Sequence, residues 1–283
     1  MLQARSRRRM PMAMPSTVHI RRSYAESRFG QLHMTTAYPS GGGFDERAPM
    51  LCLHPAGSAS SYFSALLPEL GRDRSIYAFD LPGFGHSDGP AGEWPLADIA
   101  TVIGEFADTL RLRSFDVFGV QLGALTAIEL AATKPEQVGR VVLASVPHFT
   151  AQEAKSQEWA NLPIIPMADG SHLLKEWQRL QSSRGPMTTP DQLTHELAEV
   201  LHTRQYSALV QQAMLSFPTA QRLAVMRQKG LILRPRDEFY EHGVRAKNSF
   251  PQSLLEELPE SGSNIFSNNP QRVLQLVRQF LDV

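Results

Sequence analysis

Gly119-Val120-Gln121-Leu122-Gly123 decides the reading of this chain. It follows an apolar run, Phe115-Asp116-Val117-Phe118, and opens a helical stretch that starts at Leu122. A strand, a sharp turn flanked by glycines and then a helix is the setting of the G-x-S-x-G nucleophile elbow. The middle position of that motif carries an attacking group. Here it carries Gln121, whose carboxamide has no nucleophilic lone pair and no proton it can usefully lose. The scaffold points to an enzyme, and its central residue points away from the usual reaction.

Outward from the elbow, short apolar runs alternate with helical spacing. Residues 49–54, 75–80 and 140–146 read as buried strands, and 61–70, 96–112 and 122–133 as helices. In 96–112 the apolar residues Ile99, Val102, Ile103, Phe106 and Leu110 share one face. Parallel strands need crossover helices, so the pattern predicts a mainly parallel α/β sheet with helices on both faces. Two strands, 21–28 and 31–38, precede it around a turn at Gly30. From about 147 to 220 the alternation stops, and helices are expected at 171–181, 189–204 and 206–217. Thr189 and Gln192 form a capping box there, with Pro190 in the first helical position. Alternation resumes with a strand at 230–233 and a last helix headed by Asn269-Pro270. The predicted organisation is a tail over 1–20, an α/β core over 21–146 and 221–283, and a helical cap over 147–220.

The 283 residues suit one domain carrying an insertion, and 42% hydrophobic content supplies a core. Lys plus Arg equals Asp plus Glu at 28 each, which favours neither nucleic acid nor an anionic membrane as partner. The single Cys52 lies in an apolar run and reads as a buried hydrophobe. The start holds Arg5, Arg7, Arg8 and Arg9 without a following apolar region, so a solvated tail and a cytoplasmic protein are expected rather than export. No His/Cys/Asp spacing suggests a metal, and Gly83-Phe84-Gly85 lacks the rest of a dinucleotide fingerprint, so no cofactor is expected.

Four segments in order resemble the α/β-hydrolase superfamily, in its cap-bearing small-molecule branch, over nearly all the chain from about residue 21. Leu53-His54-Pro55-Ala56-Gly57-Ser58 stands where that family has its oxyanion loop. Asp80-Leu81-Pro82-Gly83-Phe84-Gly85-His86-Ser87-Asp88 resembles its D-x-P-G-x-G-x-S turn, Gly119 to Gly123 its elbow, and Asn269-Pro270 the head of its last helix. The resemblance implies a nucleophile–histidine–carboxylate triad. Gln121 holds the nucleophile position, and counting back from Pro270 puts Ser263 at the histidine position. No histidine occurs from 243 to 283. Asp237 and Glu238 follow the strand that would carry the acid, and the register favours Glu238. Without nucleophile and base, a triad retains only the roughly 10³–10⁴-fold catalysis of oxyanion stabilisation and binding. The backbone N–H groups of Ala56 and Leu122 are the expected surviving oxyanion donors.

Replacement groups are weighed against plain structural roles. His54 is expected to brace its loop, and His86 to be a turn residue. His148, at the end of a strand, is either a new general base or a hinge residue. His172 is expected to face water, and His242 to lie away from the pocket. Trp159, Trp177, Phe149 and Phe217 read as cap core or as the roof of an apolar site. Three functions remain open. The first is non-covalent chemistry on a small, partly apolar carbonyl compound, such as lyase, decarboxylation, cyclisation or cofactor-free oxygenation. The second is a pseudo-hydrolase that binds a ligand or partner. The third is weak hydrolysis by water and a displaced base.

Overall fold

A computed structural model describes residues 17–40, 47–156, 164–183 and 188–282. Eight strands form one sheet in the order β1-β2-β4-β3-β5-β6-β7-β8. They are β1 (Val18–Ser27), β2 (Gly30–Pro39), β3 (Met50–Leu53), β4 (Ile76–Phe79), β5 (Phe115–Val120), β6 (Val138–Ala144), β7 (Lys229–Pro235) and β8 (Ser253–Leu258). β1–β2 and β2–β4 pair antiparallel, and every other pair is parallel. The first strand starts at Val18, paired with Pro39, so residues 18–20 of the expected tail are sheet. Residues 1–16 and Trp159 lie outside the described residues.

The helices are α1 (Leu67–Leu70), α2 (Leu96–Thr109), α3 (Leu122–Thr133), α4 (Ser171–Ser183), α5 (Pro190–His202), α6 (Ser207–Ser216), α7 (Thr219–Ala224), α8 (Tyr240–Ser249) and α9 (Pro270–Leu281). β3 is apolar throughout and β5 nearly so, broken by Asp116, because both faces of the central sheet are covered. Leu51 and Leu53 of β3, with Phe115 and Val117 of β5, pack with α2 and α3. Met50 and Cys52, with Phe118 and Val120, pack with Val273, Val277 and Leu281 of α9. Pairing Leu53 with Gly119 sets the ends of β3 and β5 side by side. The chain leaves β3 for β4 on one side and returns to β5 on the other, so this is the sheet's switch point, where open α/β sheets bind ligands.

The single helix expected at 61–70 is instead a 3₁₀ turn over Ser60–Phe63 and one α turn over Leu67–Leu70, with Pro68 at its start. Proline supplies no N–H to continue the first turn into the second. Between β6 and β7 the chain forms α4 to α7, and the Thr189–Gln192 capping box heads α5. α7 returns to the core, where Arg222 makes two charge-assisted bonds of 2.6 Å to Glu129 of α3. Among the described residues, no helix is long and apolar enough to cross a membrane.

Candidate active site

The elbow is as tight as its glycines allow. Gln121 sits at φ 51°, ψ −108°, a conformation that L side chains rarely adopt. A Cβ on Gly123 would lie 2.0 Å from the Leu53 carbonyl oxygen, and one on Gly119 would lie 2.1 Å from the Gly123 oxygen. Two backbones therefore meet where only hydrogen fits.

The Gln121 side chain fills the expected oxyanion loop. Its Oε1 accepts the Ala56 N–H at 2.9 Å. Ala56 N–H is thus bonded internally, to a side-chain amide oxygen. The Leu122 N–H is the first in α3, one of the four that a helix start leaves without an intrahelical acceptor. His54 is wholly buried and fixed through both nitrogens. Nδ1 donates to the Pro55 carbonyl at 2.7 Å, and Nε2 accepts the Leu81 N–H at 2.9 Å. Burial pushes its pKa down to about 4, so it stays neutral and braces the loop.

The relay side is built differently. Ser263, expected at the histidine position, has its Oγ donating to the Ser183 carbonyl of α4 at 3.1 Å. Asp237 is the deeper of the two acids and Glu238 is exposed, although the sequence register favours Glu238. Asp237 Oδ1 accepts the Phe239 N–H at 2.9 Å. Burial, aided by the charge of Glu238, raises its carboxyl to about 6 against the lowering pull of Ser145 and Phe239. Ser145, at φ 50° beyond the end of β6, stands beside it. Ser145 Oγ and Asp237 Oδ2 are both buried, and neither makes a well-formed hydrogen bond, although Ser145 lowers the Asp237 pKa.

His148 lines neither chamber of the cavity. Its Nε2 lies 3.0 Å from Ser249 Oγ at the end of α8, and its N–H donates to His242 Nδ1 at 2.9 Å. Burial lowers its pKa, and that of His242 to about 4. Of the two roles expected for His148, base or hinge, its contacts favour the hinge: the turn after β6 sends the ring toward Ser249 at the end of α8.

Two chambers meet at Gln121, Ala56, Glu238 and Phe239. A polar one of about 650 Å³ reaches Ser145, Asp237, Ser263 and α5. A larger, more apolar one of about 1130 Å³ is lined by Phe84, Phe149, Ile164, Met214 and Leu215, and also by His172, Lys175, Glu176 and Arg179 of α4. Phe149 is thus in the apolar wall, whereas Trp177 and Phe217 line neither chamber.

α5 contributes a group that the sequence reading did not single out. Ser61 Oγ donates to Glu199 Oε1 at 2.7 Å, and His195 Nε2 lies 3.2 Å from the same oxygen. Glu199 Oε2 is buried without a partner, and burial raises its pKa. A signal was present: Gln192, His195, Glu196 and Glu199 recur at helical spacing, and all line the polar chamber.

A doubly covered, mainly parallel sheet with an elbow at its switch point and helices inserted after β6 defines an α/β-hydrolase fold. The profile of the alpha/beta hydrolase family matches residues 50–276, and the chain belongs to that family. It is 37% identical over 131 residues to the pimeloyl-[acyl-carrier protein] methyl ester esterase of Shewanella woodyi, covering 45% of this chain and 46% of that one. It is 32% identical over 114 residues to the 2-hydroxymuconate semialdehyde hydrolase of Pseudomonas sp. strain CF600, covering 38% of each. The alignments thus span less than half the length of these curated relatives. A crystal structure of a Pseudomonas aeruginosa hydrolase superposes at TM-score 0.75 and 21% identity, over 93% of this chain and 98% of that one.

Proposed function

We propose that this chain binds a small organic carbonyl or carboxyl compound with an apolar portion, and that it does not hydrolyse esters or amides through an acyl-enzyme. One observation carries this reading: the Gln121 Oε1 bond to the Ala56 N–H. The elbow side chain supplies no nucleophile, and it also occupies a donor that an acyl oxygen would need. A ligand oxygen displaces Gln121 or bonds to its Nε2 hydrogens. The apolar chamber that opens beside it accommodates the rest of the ligand.

A second reading, non-covalent acid–base chemistry on such a compound, is favoured by Asp237. A carboxyl near 6 with one oxygen lacking a well-formed hydrogen bond is suited to proton transfer near neutral pH. The test is to incubate the full chain with a set of aldehydes, ketones, esters and carboxylic acids, following thermal unfolding and product by mass spectrometry. Binding without turnover is the expected outcome: compounds that raise the unfolding temperature come back unchanged. Product that disappears in Asp237→Asn would establish the second reading. An acylated Gln121→Ser chain with burst kinetics would show that only the nucleophile had been lost.

A further inference from the structure

We propose that His33, Asp80 and His86 form a binding site for a first-row divalent metal ion of the Zn²⁺ class, on the outer side of the oxyanion loop. The three come from separate segments: His33 from β2, Asp80 from the end of β4 and His86 from the turn that follows. Their ligand atoms all lie within 4.8 Å of one another. His33 Nδ1 is 2.8 Å from Asp80 Oδ2, and His86 Nδ1 is 3.6 Å from that same oxygen. Two ligands of a tetrahedral Zn²⁺ at about 2.0–2.1 Å stand roughly 3.3 Å apart, between these two spacings. Binding therefore asks for a small opening of the buried pair and a rotation of an exposed ring.

The exposure pattern suits a bound ion. The His33 and Asp80 side chains are 4% and 1% exposed, while His86 is 67% exposed and leaves a fourth position open to water. Two imidazoles and one carboxylate suit zinc and its neighbours, not Ca²⁺ or Mg²⁺, which take all-oxygen shells. The carboxylate is already oriented. Ser60 N–H donates to Oδ1 at 2.7 Å and His86 N–H to Oδ2 at 2.8 Å, supports of the kind that metal-ligating carboxylates need. These amides satisfy Asp80 without His86, yet the His86 ring stands with its Nδ1 turned to the carboxylate, beyond hydrogen-bond reach. The site adjoins the polar chamber through one peptide: Ser60 holds Asp80, and Ser61 holds Glu199.

The test is calorimetric titration of ZnCl₂ into the metal-stripped full chain, its His86→Ala variant and its His195→Ala variant. His86 is exposed and its backbone bond to Asp80 survives the substitution, so the variant keeps its fold, which thermal unfolding checks. One ion per chain is expected, weakened at least about 30-fold in His86→Ala and unchanged within about threefold in His195→Ala. No heat in the parent chain up to millimolar zinc would overturn the site. So would a smaller dependence on His86, or an equal loss in His195→Ala, which would move the ion to the Glu199 pair. None of these outcomes bears on the organic-ligand reading of the cavity.

Discussion

The two walls of the cavity differ in how completely their polar groups are satisfied. On the oxyanion-loop wall, His54 uses both ring nitrogens and Ala56 N–H meets Gln121 Oε1. On the wall of Asp237, Ser145 Oγ and Asp237 Oδ2 are buried without a well-formed hydrogen bond, and Ser263 turns to the insertion. A buried unsatisfied polar atom costs about 1–3 kcal/mol, so the first wall is framework and the second carries unmet bonding capacity.

That contrast can be broken most severely at Gly123. With 2.0 Å between a new Cβ and Leu53 O, Gly123→Ala should cost 4 kcal/mol or more, or yield no folded protein, in urea unfolding. Next is His54→Ala. It orphans the Leu81 N–H in a fully buried place and should cost about 3 kcal/mol by the same measurement. A loss under 1 kcal/mol would show that the framework wall is not what holds the loop.

The wall of Asp237 should respond in the opposite direction. Asp237 has its carboxyl raised from 3.8 to about 6, so the folded chain holds a proton that the unfolded chain has released. Its contribution to stability is fully present below about pH 4 and is lost as pH rises through about 6. Asp237→Asn should flatten that fall and stabilise the protein at pH 7.5 by about 2 kcal/mol. Unfolding free energies measured across pH 4–8 would show it; a destabilised variant with an unchanged slope would refute it. The smallest effect is expected at Gln121→Gly. Losing one hydrogen bond of about 1 kcal/mol is offset by relief of about 1–3 kcal/mol of backbone strain at φ 51°. A net change within about 1 kcal/mol is expected in thermal unfolding. A larger loss would make the amide part of the framework wall.

The alternation of apolar runs and helical faces located β3, β4, β5, α2 and α3, because both faces of a parallel sheet impose continuous apolar strands. It failed where that signal fades. β8 lies at the sheet edge and includes the exposed Leu254 and two glutamates, and α8 reads Tyr-Glu-His-Gly-Val-Arg-Ala-Lys-Asn-Ser, with few apolar positions to report a face. At 61–70 the spacing suggested one helix, but Pro68 divides it. In the site, Gln121, Ala56 and Ser263 were singled out in the sequence, and all three line the polar chamber. The choice between Asp237 and Glu238 was not legible, since adjacent residues differ only in which one the loop turns inward.

The amino-acid order by itself determined the family's framework, the amide at the elbow and the lack of any histidine from 243 to 283, because each is a matter of residue identity and local pattern. Tertiary structure alone decided that the Gln121 amide reaches Ala56, 65 positions away, and that His33 meets Asp80, 47 positions away. Side-chain direction and burial are set by strand register and by the loops packed above the sheet. Those contacts close across long stretches of chain and leave no periodic trace along it.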